Sequence, residues 1–531
     1  MLHTATAHRG MVAAPHHLAA QSGLAVLREG GNAIEAMVAA AATIAVVYPH
    51  MNALGGDAFW IIYEPGRAPT SIDGSGALGR AVEPDLYHKQ GLSTVPQVGP
   101  LAATTVAGAV SSWQSALEVS QSRWGGTKTL NHLLADAISY ARDGYAVSAG
   151  QRRTTQRLKG VLADQPGFAD QFLEAGEIPA EGTIQRNPAL AEVLELLARN
   201  GLDDFYRGEV GRRIAADLAS VGSPLKGEDM ARHRSVRRRP LSLLLPGVSL
   251  SNTPPPTQGL AALMTLGLYE RHAAAEAETF DHVHGLIEAT KVAFKVRNAH
   301  ITDPLYMSVH PTTYLNDHVL DKLAEDISRR TAAPWPAALR DGDTVYLSAA
   351  DSEGRVVSFI QSIFHGFGSG VVLPETGIVW HNRGCSFTLD PKAVNTLAAG
   401  RKPFHTLAPA LAKFRDGRVM AYGTMGGDGQ PQTQAAIFTR YARYGQNLQQ
   451  AVSAPRWVLG KSYDGGRVHD LKVESRFDPA LIQALSRAGH DVSVLGPYED
   501  IMGHAAAIVR RPDGVLEGAV DPRGDGCVAA F

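Results

Sequence analysis

An α+β fold is what this sequence predicts, on three observations. Segments with helical apolar spacing recur along the chain, β-rich runs lie between them, and no internal repeat or low-complexity linker divides it. Residues 11–48 carry helical spacing with a break at Gly30-Gly31, and 130–145 and 186–201 read as amphipathic helices. The stretch 258–300 is largely helical, with Gly285 as an interruption. The runs FWIIYEP, TSIDGSG, SLLLPGVSLS, VVSFIQS and HAAAIVRR fit paired strands between those helices.

The strongest strand signal is a hairpin. Val345 to Ala350 and Arg355 to Ser362 are β-rich and flank the turn cluster Asp351-Ser352-Glu353-Gly354. If Ala350 faces Arg355, Thr344 lies opposite Gln361; a shift of one residue brings it opposite Ser362. Sequence leaves both registers open. Thr344 follows Asp341-Gly342-Asp343, a stretch expected to be flexible and exposed. A threonine hydroxyl becomes a useful nucleophile when a base takes its proton, and a free α-amine on the same residue can be that base. An α-amine titrates near ~7.7–8.0, so much of it is neutral at physiological pH. An internal threonine has no such amine, so this chemistry requires cleavage between Asp343 and Thr344.

Composition sets wide bounds. With 531 residues, 44% of them hydrophobic, the chain can bury one large core or two modest ones. A net charge of −2 provides no general field for nucleic acid or acidic membranes. The basic run Arg232 to Arg239 reads as a solvated surface strand. Cys385 and Cys527 allow at most one disulfide, and their spacing does not suggest metal. The first residues show no basic start followed by an apolar run, and Ala36 to Val47 is too short to span a bilayer. A cytoplasmic location is expected. Asp281-His-Val-His284 and His16-His17 raise metal binding, but no third ligand stands at suitable spacing, and helix-surface histidines explain them. Gly366 to Gly370 lacks the Lys-Ser/Thr ending of a phosphate loop. No metal and no cofactor are expected.

Longer motifs carry a resemblance. REGGNAIEAMVAAAATIAVVYPHMNALGGDAFWIIYEP, TTVAGAVSSW, YARDGYAV and NTPPPTQG occur in the first part. DTVYLSAADSEG, FGSGVVLPETGI, RKPFHTLAP, TMGGDGQPQTQ and GAVDPRGDG follow in the second. In this order and spacing they resemble the γ-glutamyltransferase family of N-terminal-nucleophile hydrolases, nearly end to end. The resemblance implies a four-layer αββα sandwich cut into chains 1–343 and 344–531, which stay together as a heterodimer; whether such units pair further is open. It implies that Thr344 is the nucleophile and that Ser362 replaces a second hydroxyl, usually Thr, that hydrogen-bonds it. It also implies that the N–H groups of Gly426 and Gly427 meet the developing oxyanion.

Departures from the family pattern concern the substrate. The family's Asn for the donor's α-amine is Phe364 here, and its acidic anchor for the same amine is Ser386. The Ser-Ser pair that touches the donor carboxylate corresponds to His405-Thr406. No arginine stands at Glu83-Pro84, where the family's carboxylate-gripping arginine should fall, and Arg80 is out of place. The segment between Phe387 and Arg401 is too short for the family's lid loop. Without a carboxylate, a buried ammonium is unpaired and costly, so an α-amino acid pocket is disfavoured. Arg383 is new and suits a small carboxylate or keto-acid; a surface arginine paired with an acidic neighbour is the competing reading.

This pattern resembles the oxamate amidohydrolase branch of the family, whose chemistry releases oxalate and ammonia in purine breakdown. A glutathione hydrolase, with Glu375 or Asp390 reaching the ammonium, and a glutaryl-cephalosporin-type acylase are the alternatives. An inactive member with a binding role is a third. The partner expected is a small amide, with neither nucleic acid nor membrane.

Overall fold

The computed structural model describes residues 3–335, 342–460, 467 and 469–531. Two seven-stranded sheets form its centre. In chain order their strands are Ala5–Ala7 (β1), Gly10–Ala14 (β2), Asp57–Tyr63 (β3), Thr70–Gly74 (β4), Val236–Arg238 (β5), Leu241–Leu245 (β6) and Val248–Asn252 (β7). Asp343–Asp351 (β8), Val356–Phe364 (β9), Ala410–Phe414 (β10), Val419–Thr424 (β11), Ala505–Arg510 (β12), Leu516–Val520 (β13) and Cys527–Ala530 (β14) follow. The first sheet runs β14-β2-β8-β9-β3-β4-β5 and the second β1-β13-β12-β11-β10-β7-β6. Every pairing in both is antiparallel.

Alternation along the strands builds the layers. Val345, Leu347 and Ala349 of β8, with Val357 and Phe359 of β9, face His17–Arg28 (α1) and Ala33–Val47 (α2) in one apolar core. Tyr346, Ala350, Val356 and Ile360 point the other way, onto Leu411, Val419, Ala421 and Ile508 of the second sheet. The outer face of that sheet, with Leu250, Ala412 and Met420, packs on Gly259–Glu270 (α3), Phe280–His300 (α4) and Gln430–Phe438 (α5). Helix, sheet, sheet, helix: the αββα sandwich is complete. The sheets approach so closely that a Cβ on Gly423 would lie 2.3 Å from the Tyr346 ring.

Both sheets mix strands from the two sides of Asp343. In the first, β2, β3, β4 and β5 precede that residue, while β9 and β14 follow it. A chain cut there would remain one hydrogen-bonded body. Among the described residues, no helix is long and apolar enough to cross a membrane.

Local signals had local outcomes. Gly30-Gly31 separates α1 from α2, where Asn32 and Glu35 form a reciprocal capping box. Residues 11–14, however, belong to strand β2, which pairs with β8 and β14. The helical run at 130–145 divides into 130–133 and 135–143. Gly285 does not interrupt α4; the break lies at 271–279, and Gly285 lets α4 approach Tyr269 of α3, 3.1 Å from an ideal Cβ. The basic run reaches strand β5, where Arg237 and Arg238 pair with Glu118 and Asp73. Cys385 and Cys527 are both free thiols.

Candidate active site

The hairpin turn selects the register. Asp351 Oδ1 accepts the N–H groups of Glu353 and Arg355 at 3.1 and 3.0 Å, and Asp351 N–H donates to the Arg355 carbonyl at 3.1 Å. Arg355 is therefore consumed in the turn, and Ala350 faces Val356. Carried along β8, this register brings Thr344 beside Ser362, with an irregularity between Asp343 and Val345. Thr344 Oγ1 donates to Ser362 Oγ at 3.2 Å, and Ser362 Oγ donates to the Asp343 carbonyl at 2.6 Å. The Ser362 oxygen also accepts the Phe364 N–H at 2.8 Å. One hydroxyl thus touches both the Thr344 side chain and the carbonyl of the peptide bond before it.

Asp343 and Gly342 are buried, contrary to the exposed segment expected; Asp341 lies outside the described residues. Burial follows from strand pairing, from Ser362 on the Asp343 carbonyl, and from Arg157, 3.6 Å from the Asp343 carboxylate. A cavity of about 210 Å³ adjoins Asp343, lined in part by Gln97, Arg157, His365 and Asn382.

The second sheet supplies the opposite side. Gly426 and Gly427 follow β11 with φ of 117° and 53°, a region in which glycine is at ease. A Cβ on Gly342 would lie 3.4 Å from Gly427 Cα and 3.3 Å from the Phe364 ring. The backbone entering Thr344 therefore passes between that ring and the glycine turn. Gln258, not singled out by sequence, is fully buried and bridges the carbonyls of Thr406 and Gly427.

Phe364, Arg383 and Thr406 meet in one buried wall, with His405 adjacent to Thr406 in the chain and Ser386 in the same short turn as Arg383. Phe364 has φ of +80°, a strained value for a residue with a side chain. Its ring stacks on His365 and carries the Arg383 guanidinium 3.7 Å from its centroid. Arg383 is 1% exposed, which excludes the surface reading, and its Nη1 lies 3.5 Å from Thr406 Oγ1. Ser386 is buried in the same short 3₁₀ turn, Arg383–Ser386.

Behind this wall stands Asp57, which sequence reasoning passed over. It opens β3 beside Ser362 and is 1% exposed. Its Oδ1 accepts the N–H groups of Gly76 and Gly108, each at 3.1 Å. Its Oδ2 lies 3.2 Å from His381 Nδ1 and 3.5 Å from His405 Nε2. Burial pushes the Asp57 carboxyl up, but His381, His405 and Arg383 outweigh it and hold the group down at about 2. Burial, reinforced by Arg383, pushes His405 down to about 3. Asp57 is therefore an ionised carboxylate in a buried setting, and His405 beside it is neutral. A lone acid opening an apolar strand in LGGDAFWIIY was the available signal, since a buried carboxylate demands cationic partners. Glu375 and Asp390 are both exposed.

The histidine motifs differ from their expected setting. His282 and His284 are buried in α4, and the ligand atoms of His284, Glu288 and His490 lie within 4.8 Å of one another. Helix-surface histidines are thus excluded, and a third residue does stand nearby. Glu288 accepts from Lys291 Nζ at 2.7 Å and the Ala333 N–H at 3.0 Å, while His284 Nδ1 and His490 Nε2 share a hydrogen bond of 2.8 Å. These groups satisfy one another within the protein. His16 is buried and caps α1, whereas His17 is exposed.

Comparison with known proteins agrees with this architecture. The chain is 52% identical over 522 residues to an oxamate amidohydrolase proenzyme of Klebsiella pneumoniae, covering 98% of each. It is 41% identical over 524 residues to a glutathione hydrolase-like proenzyme of Bacillus subtilis, again covering 98% of each. The crystal structure of a cephalosporin acylase from Bacillus halodurans superposes with a TM-score of 0.92 at 34% identity, covering 100% of this chain and 97% of that one. The gamma-glutamyltranspeptidase family model matches residues 19–531. The chain belongs to this family and is an amide-bond hydrolase.

Proposed function

We propose that the protein is a self-processing amidohydrolase that cuts a small carboxylate-bearing amide, oxamate foremost, through an acyl-enzyme on Thr344. The observation that carries this reading is the relay from Thr344 Oγ1 to Ser362 Oγ to the Asp343 carbonyl, at 3.2 and 2.6 Å. In self-cleavage, Thr344 Oγ attacks the Asp343 carbonyl carbon while Ser362 hydrogen-bonds its oxygen. The C–N bond breaks as the C–O bond forms, the nitrogen gains the proton, and water then hydrolyses the ester. The products are chains 1–343 and 344–531, the second beginning with a free α-amine.

In turnover that amine accepts the Thr344 hydroxyl proton, Oγ attacks the substrate amide, and the leaving nitrogen takes the proton as ammonia. Gly426 and Gly427 stabilise the oxyanion, and water releases the acid. The wall of Arg383, His405 and Thr406 receives the substrate carboxylate, with Phe364 and Ser386 in place of amine ligands. The 52% identity to an oxamate amidohydrolase proenzyme supports this substrate class. Thr344→Ala tests the core of the reading. The variant should run as one full-length chain on a denaturing gel and release no ammonia from oxamate. Two chains from it would sink the assignment.

A further inference from the structure

Asp343 is the acyl half of the bond that self-cleavage breaks, and its side chain ends in a carboxylate. That carboxylate is buried, with Arg157 Nη2 3.6 Å from Asp343 Oδ2. Both residues line the cavity of about 210 Å³, several times the ~30 Å³ share of one water. Among the described residues around it, Asp343 is the one acid and Arg157 the one arginine or lysine. An ideal Cβ on Gly366 would lie 3.0 Å from Asp343 Oδ2, so the bare glycine leaves room for the carboxylate. Leu158 and Leu162, on the same helix as Arg157 (Ala149–Leu162), supply apolar wall. Asn382 is engaged with its neighbours, donating to the Gln97 carbonyl at 2.7 Å and accepting the His365 N–H at 3.2 Å.

In self-cleavage the Asp343 acyl group passes from nitrogen to Thr344 Oγ. The resulting ester is an acyl-enzyme on the same oxygen that would carry an external acyl group. The position of the Asp343 side chain thus marks one place where such a group can leave a carboxylate. Two carbons, Cα and Cβ, separate its acyl carbon from that carboxylate, which is the spacing of a succinyl group. Oxamate bonds its carboxylate directly to the acyl carbon and stops two carbons short of Arg157, about 3 Å along the chain at ~1.5 Å per bond. We propose that, once the cut Asp343 withdraws, this cavity takes the acyl chain of four-carbon monoamides such as succinamate, with Arg157 pairing the far carboxylate, and that the protein hydrolyses them as a further activity. This rests on the Thr344 acyl-enzyme proposed above. Thr344 Oγ bonds the amide carbon as the C–N bond breaks, and the nitrogen leaves with the proton as ammonia. Water then cleaves the ester and frees succinate.

The test follows ammonia release by the cleaved protein from oxamate, malonamate, succinamate and glutaramate, a series that grows by one methylene at each step. Succinamate should be hydrolysed, with kcat/KM at least about tenfold above malonamate and glutaramate, because a methylene too few or too many misplaces the carboxylate. Arg157→Gln, which removes the charge, should lower the ratio of kcat/KM for succinamate to that for oxamate by about tenfold or more, chiefly through KM. Arg157→Lys keeps a cation and should restore most of that ratio. A merely structural role for Arg157 would neither distinguish the two substrates nor respond to charge. Wild-type protein that hydrolyses oxamate but not succinamate overturns the inference, and so does malonamate or glutaramate equalling succinamate. An unchanged ratio in Arg157→Gln removes Arg157 from the site, as does failure of both variants to self-cleave. Wild-type protein that stays uncut, or is inert towards all four amides, overturns the function reading instead, and this inference with it.

Discussion

Thr344 and Ser362 are adjacent because two strands of the first sheet are in register. Gly427 and Thr406 flank strands of the second sheet and are joined by Gln258, a side chain remote from both in sequence. The first arrangement follows from strand pairing; in the second, a buried side chain links two segments, and the glycine turn also carries backbone hydrogen bonds of its own, from Gly429 N–H to Gly426 and from Gln430 N–H to Gly427. In the chemistry proposed above, the nucleophile side acts first on the Asp343–Thr344 bond of the chain itself, and the glycine side acts on the external amide.

Substitutions can break this division. Gly427→Val should have the largest effect, on the order of 10²–10³ in kcat, because a β-branched residue is strained at a φ of 53° and re-aims the turn. Its self-cleavage should persist. Ser362→Ala should slow both reactions by roughly tenfold, the equivalent of one hydrogen bond of ~1–1.5 kcal/mol. Time courses of chain cleavage and ammonia release on the two variants check the contrast. If Gly427→Val stops self-cleavage as completely as turnover, the two sides are not separate.

The hairpin was legible because alternation and the Asp351 turn are local. Its register was not, since the turn hydrogen bonds that consume Arg355 appear only in three dimensions. The continuity of the helix through Gly285 was not legible, because a packing glycine and a helix-breaking glycine look alike in sequence. Asp57 and Gln258 escaped for another reason. Their partners, His381, His405 and Arg297, lie far along the chain, and only the folded sheets bring them together.

The wall sharpens the contrast further. Arg383→Leu should raise KM for oxamate by about 10–100-fold, since a charge-assisted contact contributes ~1.5–3 kcal/mol, with a smaller change in kcat. Saturation kinetics on the cleaved variant check this. An unchanged KM would remove Arg383 from carboxylate binding.

A smaller effect concerns acid stability. Burial pushes His50, His282, His405 and His490 down to about 3, and His16 and His233 to about 4. An unfolded histidine titrates near ~6.5, so between these values the unfolded chain binds more protons. The contribution of these residues is complete above ~6.5 and is lost as pH falls; that of Asp57 persists until pH drops from ~4 through about 2. Tm should therefore decrease by roughly a few degrees from pH 7 to pH 5. A flat profile over that range would contradict the buried neutral histidines.

The central claim is that Thr344 works on a small amide bearing a carboxylate, in a pocket without a dedicated partner for an α-amine. The ratio of kcat/KM for oxamate to that for glutathione, measured on the cleaved protein, tests it most directly. Oxamate should lead by more than about tenfold, equivalent to ~1.4 kcal/mol of transition-state preference. Glutathione leading by the same factor would contradict the reading of Arg383, Phe364 and Ser386.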